Sequence, residues 1–157
     1  MPVVVDGHNL LWAVQELSEQ VVSDVQLCRI VGRYLKLTGE KGQIIFDGIG
    51  PPDKSGFENI SNVEVLFAGR STDTDTVIEK KITASTAPKR LTIVSTDRRL
   101  RRAARARKAT AIKSEDFWAD VQKRVRTRSR NKEPAEKRLG LTDSETKQWL
   151  EFFNLGQ

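Results

Sequence analysis

Three predicted strands of this chain are each followed closely or ended by an aspartate: Asp6 ends PVVVD, Asp47 ends QIIFD, and Asp97 comes two residues after LTIVS. A fourth aspartate, Asp75, stands at the predicted start of a helix beyond the third strand. Carboxylates gathered without basic partners repel each other, and a hard divalent cation such as Mg²⁺ or Mn²⁺ offsets that repulsion. Such ions activate water and stabilise the attacking and leaving oxygens in phosphodiester cleavage.

Each aspartate taken alone has a simpler explanation. Asp-Gly after a strand is a common turn signal, which would account for Asp6 and Asp47, and Asp97 can simply cap the helix that follows it. The repetition favours chemistry, because turn formation alone would be expected to mix Asn, Gly and Ser at these positions. The sequence therefore predicts a carboxylate cluster, provided that the strands are parallel and end at one edge of a sheet.

Two polar residues follow Asp6 directly in the segment DGHNLL. Asn9 can orient a metal ligand, bind metal-bound water or contact a phosphate, and its simpler role is to cap the first helix. His8 is the only histidine of the chain. A lone histidine cannot build a zinc site, and we rank His8 low as a general base.

Three further residues are secondary candidates for the site. Asp73 is a rival to Asp75, because it lies two residues earlier in the same segment. Glu79 comes one helical turn after Asp75 and can reach a metal through water or simply face solvent. Thr96, beside Asp97, can hydrogen-bond a phosphate or satisfy the turn.

These residues require a scaffold in which short apolar strands alternate with helices. Strands are predicted at 2–6, 43–47, 63–67, 91–95 and 109–112, the third near a sheet edge, and helices at 10–37 (two, broken near 18–23), 75–85, 98–108 and 114–125. The alternation predicts an α/β fold, a three-layer α/β/α sandwich with a mainly parallel sheet. Ligands of such sheets bind outside the carboxyl ends of the strands.

The predicted domain covers residues 1–128. A polar, basic segment at 129–141 contains Pro134 and is predicted to be a linker. The capping-box pattern TDSE then predicts a C-terminal helix within 142–157.

Charge is distributed unevenly along the chain. Residues 1–97 hold 10 Lys/Arg and 13 Asp/Glu, whereas residues 98–138 hold 16 and 5. A basic half next to a cation-dependent site predicts an anionic polymer as the partner. The predicted phosphate-binding residues, which can also be only a solvated helix face, are Arg98, Arg99, Arg101, Arg102 and Arg105.

The remaining composition indicates a protein without disulfides. Cys28 is the only cysteine and lies among apolar residues, so we expect it in the core. The N-terminus shows neither a signal peptide nor a membrane span, which makes the cytoplasm the expected compartment. Tryptophans can stack on nucleobases. Core packing is favoured for Trp118 and Trp149, so Trp12 is the remaining candidate for stacking.

The segments VVVDGHNLL, IIFDG, TDTVIEKKI and IVSTDRRLRRAARARKA, which together span residues 3–125, resemble the NYN-domain, YacP-like branch of the PIN-like ribonucleases. The resemblance implies a PIN-like sandwich and endonucleolytic RNA cleavage with Mg²⁺ or Mn²⁺. It implies Asp6, Asp47, Asp75 and Asp97 as metal ligands, with Asn9 as their polar neighbour. Members of the branch usually carry a small residue before the third acid. In this chain Thr74 precedes Asp75, so Asp73 remains an alternative candidate for the third metal ligand.

The same resemblance suggests where the RNA comes from. Members of this branch are linked to mRNA cleavage on ribosomes, so mRNA or ribosome-associated RNA is an expected substrate and the ribosome an expected partner. The segment from Pro134 to the end also resembles the C-terminal tail of some members. The oligomeric state is not predicted.

Two other functions were weighed against a metal-dependent endoribonuclease. The DTDT segment superficially fits the motif of aspartate-nucleophile phosphatases, but that motif directly follows a buried strand and here AGRST intervenes. The more serious alternative is a non-catalytic RNA- or ribosome-binding module with a PIN-like fold. Four acids argue against it, because a protein that only binds an anion has no reason to gather them.

Overall fold

A five-stranded, fully parallel sheet forms the middle layer of the computed structural model. The structure describes residues 2–18 and 21–130, with side chains as far as residue 126. The strands are β1 (Pro2–Asp6), β2 (Lys41–Phe46), β3 (Val63–Phe67), β4 (Thr92–Val94) and β5 (Thr110–Ile112). The helices are α1 (Gly7–Ser18), α2 (Asp24–Thr38), α3 (Thr74–Ala84), α4 (Arg98–Ala106) and α5 (Ser114–Arg130).

The strands lie in the order β3-β2-β1-β4-β5, which confirms the edge position predicted for the third strand. Residues alternate between the two sides of each strand, and β1 shows this most simply. Val3 and Val5 pack into a core with α1, α2 and α5, whereas Val4 packs into a second core with α3 and α4. Both faces of the sheet are therefore covered, and the predicted α/β/α sandwich is confirmed.

The predicted break between the first two helices is confirmed. Ser23 caps α2, because its side chain accepts a hydrogen bond from the N–H of Gln26 while the Gln26 side chain accepts one from the N–H of Ser23. Gly39 ends the helix in the left-handed conformation, at φ 73°. Val21, which the helical spacing placed on an apolar face, lies between the helices and is 90% exposed.

Helix α1 begins earlier than the sequence indicated. It starts at Gly7 rather than at Leu10, so Asn9 lies inside the helix and does not cap it. Gly7 is not a turn glycine either. A Cβ atom there would lie 2.5 Å from the Phe46 ring and 2.9 Å from the carbonyl oxygen of Ile45. Glycine at this position allows α1 to start in close contact with β2.

Helix α5 ends later than predicted. The sequence predicted a helix end near residue 125 and a linker from residue 129, but the helix continues to Arg130. Residues 126–130 contain neither glycine nor proline, so the chain has no local reason to stop before Pro134. The rest of the predicted linker and the predicted C-terminal helix, with Trp149, lie outside the described residues.

Burial of individual side chains agrees with two predictions. Cys28 and Trp118 are completely buried in the core on the α1, α2 and α5 side of the sheet. Trp12, by contrast, is 59% exposed. Among the described residues, no helix combines the length and the apolar character needed to cross a lipid bilayer.

Candidate active site

The sheet topology brings the strand-end aspartates to one edge. Asp6 is the last residue of β1, Asp47 directly follows β2, and Asp97 comes three residues after β4. All these strands run in the same direction, and β1 lies between β2 and β4. The chain first adds β2 and β3 next to one edge of β1, and later adds β4 and β5 next to its other edge. The order of the strands therefore reverses at β1. Ligands of open α/β sheets bind outside such a switch point.

Asp6 is the buried acid of this edge, since only 8% of the residue is exposed. The Ser95 hydroxyl donates to its Oδ2 at 3.3 Å. Burial and the negative charge of Asp75 raise the pKa of Asp6 to about 6, although hydrogen bonds from the Asn9 N–H and from Ser95 lower it. Asp47 adds a smaller repulsion. Asp6 is thus buried from solvent and lies close to the carboxylates of Asp75 and Asp47.

Asp75 connects the two other acids. Partial burial, the charge of Asp97 and a hydrogen bond with Asp97 raise the pKa of Asp75. Asp73 raises it further, and Arg99 lowers it. Asp6, Asp75 and Asp97 therefore form a chain of interacting carboxylates with Asp75 in the middle. These three come from the end of β1 and the starts of α3 and α4.

Asp73 has a different role from Asp75. It is the N-cap of α3, and its Oδ1 accepts a hydrogen bond from the N–H of Thr76 at 2.8 Å. Hydrogen bonds from Thr76 lower the pKa of this exposed carboxyl. Asp97 caps α4 in the same way, since its Oδ1 accepts the N–H of Arg99 at 2.8 Å, so capping alone does not exclude Asp73. Asp75 is favoured over Asp73 because it interacts with both Asp6 and Asp97.

Asp47 lies at the rim and ties two elements together. Its Oδ1 accepts the N–H of Thr74 at 2.8 Å, which fixes the start of α3 to the end of β2. Burial raises the pKa of Asp47, but the Thr74 N–H, the nearby Thr74 hydroxyl and His8 bring it below its usual value. His8 Nδ1 accepts the N–H of Asp47 at 3.3 Å and lies 3.7 Å from Oδ2.

Asn9 holds the β4–α4 connection in place. Its Oδ1 accepts the N–H of Thr96 at 2.9 Å and a hydrogen bond from the Ser114 hydroxyl. The Thr96 hydroxyl in turn donates to Glu115. Asn9 Oδ1 therefore already has two donors, and the side chain acts on Asp97 through the backbone rather than as an obvious ligand.

Sequence reasoning missed two members of this network. They are Ser114 and Glu115, neither of which is among the predicted site residues. These are the second and third residues after β5, at the same edge of the sheet as the aspartates. The position after a parallel strand was the signal that could have identified them, as it did for Asp6. Ser95 contributes as well, because its Oγ also accepts the N–H of Asp97 at 3.1 Å.

The predicted arginines of α4 differ in their availability. Arg99 forms a bidentate ion pair with Glu79, in which Nη2 lies 2.9 Å from Oε2. Glu79 thus does not face solvent alone: it pairs with Arg99 and lies close enough to Asp73 and Asp97 to be repelled by them. Arg101 is half-buried, Arg99 is exposed but paired with Glu79, and the other exposed members of the set are Arg98, Arg102 and Arg105. Their spacing of four and three residues places them along one side of the helix.

The donor set suits a hard divalent cation, although it is not assembled as a finished metal site. In the part of the chain that the structure describes, no three His, Cys, Asp or Glu side chains stand close enough to hold one ion. Carboxylate oxygens that repel each other are nevertheless the ligands that Mg²⁺ and Mn²⁺ prefer. The buried Thr74 hydroxyl lies near Asp47, whose pKa it helps to lower, but no described residue stands at hydrogen-bond distance from it. An unsatisfied buried hydroxyl at this place fits an additional ligand or water.

The fold and the edge site define the chain as a PIN-like α/β protein. The sequence model of the YacP-like NYN domain matches residues 3–153, and the chain belongs to that family. No curated protein matches the sequence.

Two solved structures share the fold. The crystal structure of Rae1 (YacP) from Bacillus subtilis has a TM-score of 0.67 and 20% identity, with 98% of this chain and 92% of that chain covered. Its W164L mutant gives a TM-score of 0.64 and 17% identity, over 96% and 98% of the two chains. At these identities the likeness concerns the fold alone.

Proposed function

We propose that this protein is a metal-dependent endoribonuclease. The observation that carries the proposal is the chain of interacting carboxylates Asp6, Asp75 and Asp97 at the switch point of a parallel sheet. Burying Asp6 and placing Asp75 near it costs folding free energy, as the raised pKa of Asp6 shows. Membership of the YacP-like NYN family supports the same interpretation.

Asp6, Asp75 and Asp97 are the proposed ligands of Mg²⁺ or Mn²⁺, with Asp47 at the rim as the fourth. When bound, such an ion supplies an activated water and stabilises charge on the phosphate oxygens. The protein's own part is positioning. Asn9 fixes the connection that carries Asp97, and Asp47 fixes the start of the helix that carries Asp75.

The exposed arginines of α4 are the proposed phosphate-binding groups. Helix α4 begins directly after Asp97, so Arg98 and Arg102 project from the first turns beside the acidic edge. Arginine recognises phosphate through charge-assisted hydrogen bonds. Arg99 is held by Glu79 and lies near Asp75, and it is therefore better placed to moderate the repulsion of the acids than to bind substrate.

The proposed substrate is RNA, and mRNA or ribosome-associated RNA is the form that the family resemblance suggests. The test is cleavage of end-labelled RNA with and without Mn²⁺. Asp6→Asn and Asp75→Asn should abolish Mn²⁺-dependent cleavage and leave RNA binding unchanged or tighter, because each removes a negative charge. Asp116→Asn, a change at an exposed acid of α5, is the matched control and should cleave normally.

The opposite result would support a different function. If the wild-type protein binds RNA but no cleavage appears with either ion, the protein is an RNA- or ribosome-binding module. One observation favours this alternative: among the described residues, no three potential metal ligands stand close enough to hold one ion.

A further inference from the structure

One large aromatic side chain near the candidate site is not used by the core. Trp12 is 59% exposed, although its helix buries Leu10, Ala13 and Val14 completely or almost completely. Single exposed apolar residues are common on protein surfaces and need no explanation by themselves. Trp12 differs from them in its position relative to the acidic edge.

Trp12 is one helical turn from a residue that touches the site. His8 and Trp12 are four residues apart in α1, so they lie on the same side of the helix, about 6 Å apart along its axis. The His8 ring packs edge-on against Phe46, with 5.0 Å between ring centroids, and its Nδ1 contacts Asp47. Trp12 therefore lies one helical turn beyond His8, which itself contacts Asp47 at the rim of the site.

A second exposed apolar residue lies close to the same rim. Ile49 comes two residues after Asp47 and is 49% exposed. Trp12 and Ile49 thus both belong to segments that meet at His8 and Asp47. They give the α1 side of the site an apolar, aromatic character that the α4 side, with its exposed arginines, lacks.

We infer that Trp12 is a stacking platform for an unpaired nucleobase of the RNA, an inference that rests on the proposed function. The two helices beside the site lie on opposite faces of the sheet and start from neighbouring strands, α1 from β1 and α4 from β4. A strand of RNA that crosses the edge meets arginines on one side and the indole on the other. Glu16, exposed one turn beyond Trp12, disfavours a phosphate there and leaves a base as the suitable occupant.

The consequence is a preference for single-stranded RNA. Stacking of a base on an exposed aromatic ring is worth about 1–3 kcal/mol and tolerates any base. A base inside a duplex has no free face to offer. Trp12 therefore favours unpaired RNA over duplex RNA of the same charge.

The test measures binding without cleavage. A fluorescein-labelled, unpaired oligoribonucleotide is titrated with the full-length protein in EDTA, and anisotropy gives the Kd. Trp12→Ala should weaken binding by about 5- to 150-fold, which is the stacking range above converted to affinity. Trp12→Phe, which keeps an aromatic face, should lose less. Binding of duplex RNA should change little in either variant.

The matched control is Leu17→Ala. Leu17 is 53% exposed on the same helix, but it lies about 140° around the axis from Trp12 and farther from the site. It should leave the affinity for unpaired RNA unchanged. Oligonucleotides with one abasic nucleotide moved along the strand add a second readout. At one position of the abasic nucleotide, the wild type should bind the oligonucleotide as weakly as Trp12→Ala binds the intact strand. Trp12→Ala should bind that abasic oligonucleotide no more weakly than the intact strand.

Several results would overturn the inference. They are an unchanged Kd in Trp12→Ala, equal losses for unpaired and duplex RNA, and a loss of the same size in Leu17→Ala. The outcome is separable from that of the proposed function, because cleavage is not measured here. A protein that cleaves RNA normally but binds it without Trp12 refutes only the stacking platform. A protein that stacks RNA on Trp12 and never cleaves refutes only the nuclease.

Discussion

Replacing Asp6 by asparagine should stabilise the metal-free protein at neutral pH. The folded protein raises the pKa of Asp6 from 3.8 to about 6, mainly through burial and the charge of Asp75. A difference of about two pKa units corresponds to about 3 kcal/mol of folding free energy lost when the group ionises. Asparagine removes the charge and keeps an oxygen that can accept from the Ser95 hydroxyl.

The sign of the pH dependence follows from the direction of the shift. Below the unfolded pKa of Asp6 the group is protonated in both states, so wild type and Asp6→Asn should be similarly stable. As the pH rises from about 4 to about 6, the unfolded chain releases its proton first and the wild type loses stability. Above that window the difference is constant. In a chain of this size it corresponds to a melting temperature about 6–12 °C higher for Asp6→Asn.

The assay is thermal unfolding in EDTA, followed by circular dichroism, at pH values below, within and above that window. Glu58→Gln makes the same carboxyl-to-amide change at an exposed position and should show no such pattern. Added Mn²⁺ should then raise the melting temperature of the wild type but not of Asp6→Asn, because only the former keeps the ligand. The reasoning is refuted if Asp6→Asn is the less stable protein at neutral pH, or if the difference does not vary with pH.

Three further outcomes are expected. Arg98→Ala with Arg102→Ala should weaken RNA binding and reduce the slope of log K against log salt by about 1.4, as measured by anisotropy in a salt series. Asn9→Ala should lower the free energy of unfolding in urea by about 2 kcal/mol and impair cleavage, because it leaves the donors of Thr96 and Ser114 without their acceptor. Removal of residues 131–157 should preserve cooperative thermal unfolding, because residues between Val3 and Val125 already form a core on each face of the sheet.

Each of these outcomes has its own control. Lys89→Ala with Arg90→Ala removes two exposed charges just before β4, at the opposite edge of the sheet, and should leave the salt slope nearly unchanged. An unchanged slope for the α4 variant would contradict the placement of RNA. Asn9→Asp keeps an oxygen acceptor and should retain more stability than the alanine variant; equal stability of all three proteins would reject the network. Broad, non-cooperative unfolding of the shortened chain would show that the tail belongs to the core.

The sequence allowed the sheet to be predicted well, because its signals are local. A buried parallel strand is a short, β-branched run such as PVVVD, and the aspartate that ends it is next in the chain. The direction of the strands then placed Asp6, Asp47 and Asp97 at one edge. Gly7 shows the limit of local reasoning. Asp-Gly resembles a turn, and only the contact with Phe46 reveals that the glycine serves close packing.

Interactions between distant segments could not be predicted. The bond from Ser114 to Asn9 spans 105 residues, and the pair of Arg99 with Glu79 spans 20. Periodicity places Glu79 on the same side of its helix as Asp75 but cannot show that a cation from the next helix will reach it. The polar network around the acids is therefore a product of tertiary structure, whereas the acids themselves are visible in the sequence.

The central position of the first strand has a consequence for the order in which the protein can mature. During synthesis β1 emerges first, but its neighbours on the two sides are residues 41–46 and residues 92–94. Asp75 and Asp97 emerge later than most of the sheet. A nascent chain that has not yet reached residue 97 lacks one flank of the acidic edge, so whatever chemistry that edge performs is withheld until almost the whole sheet has been made.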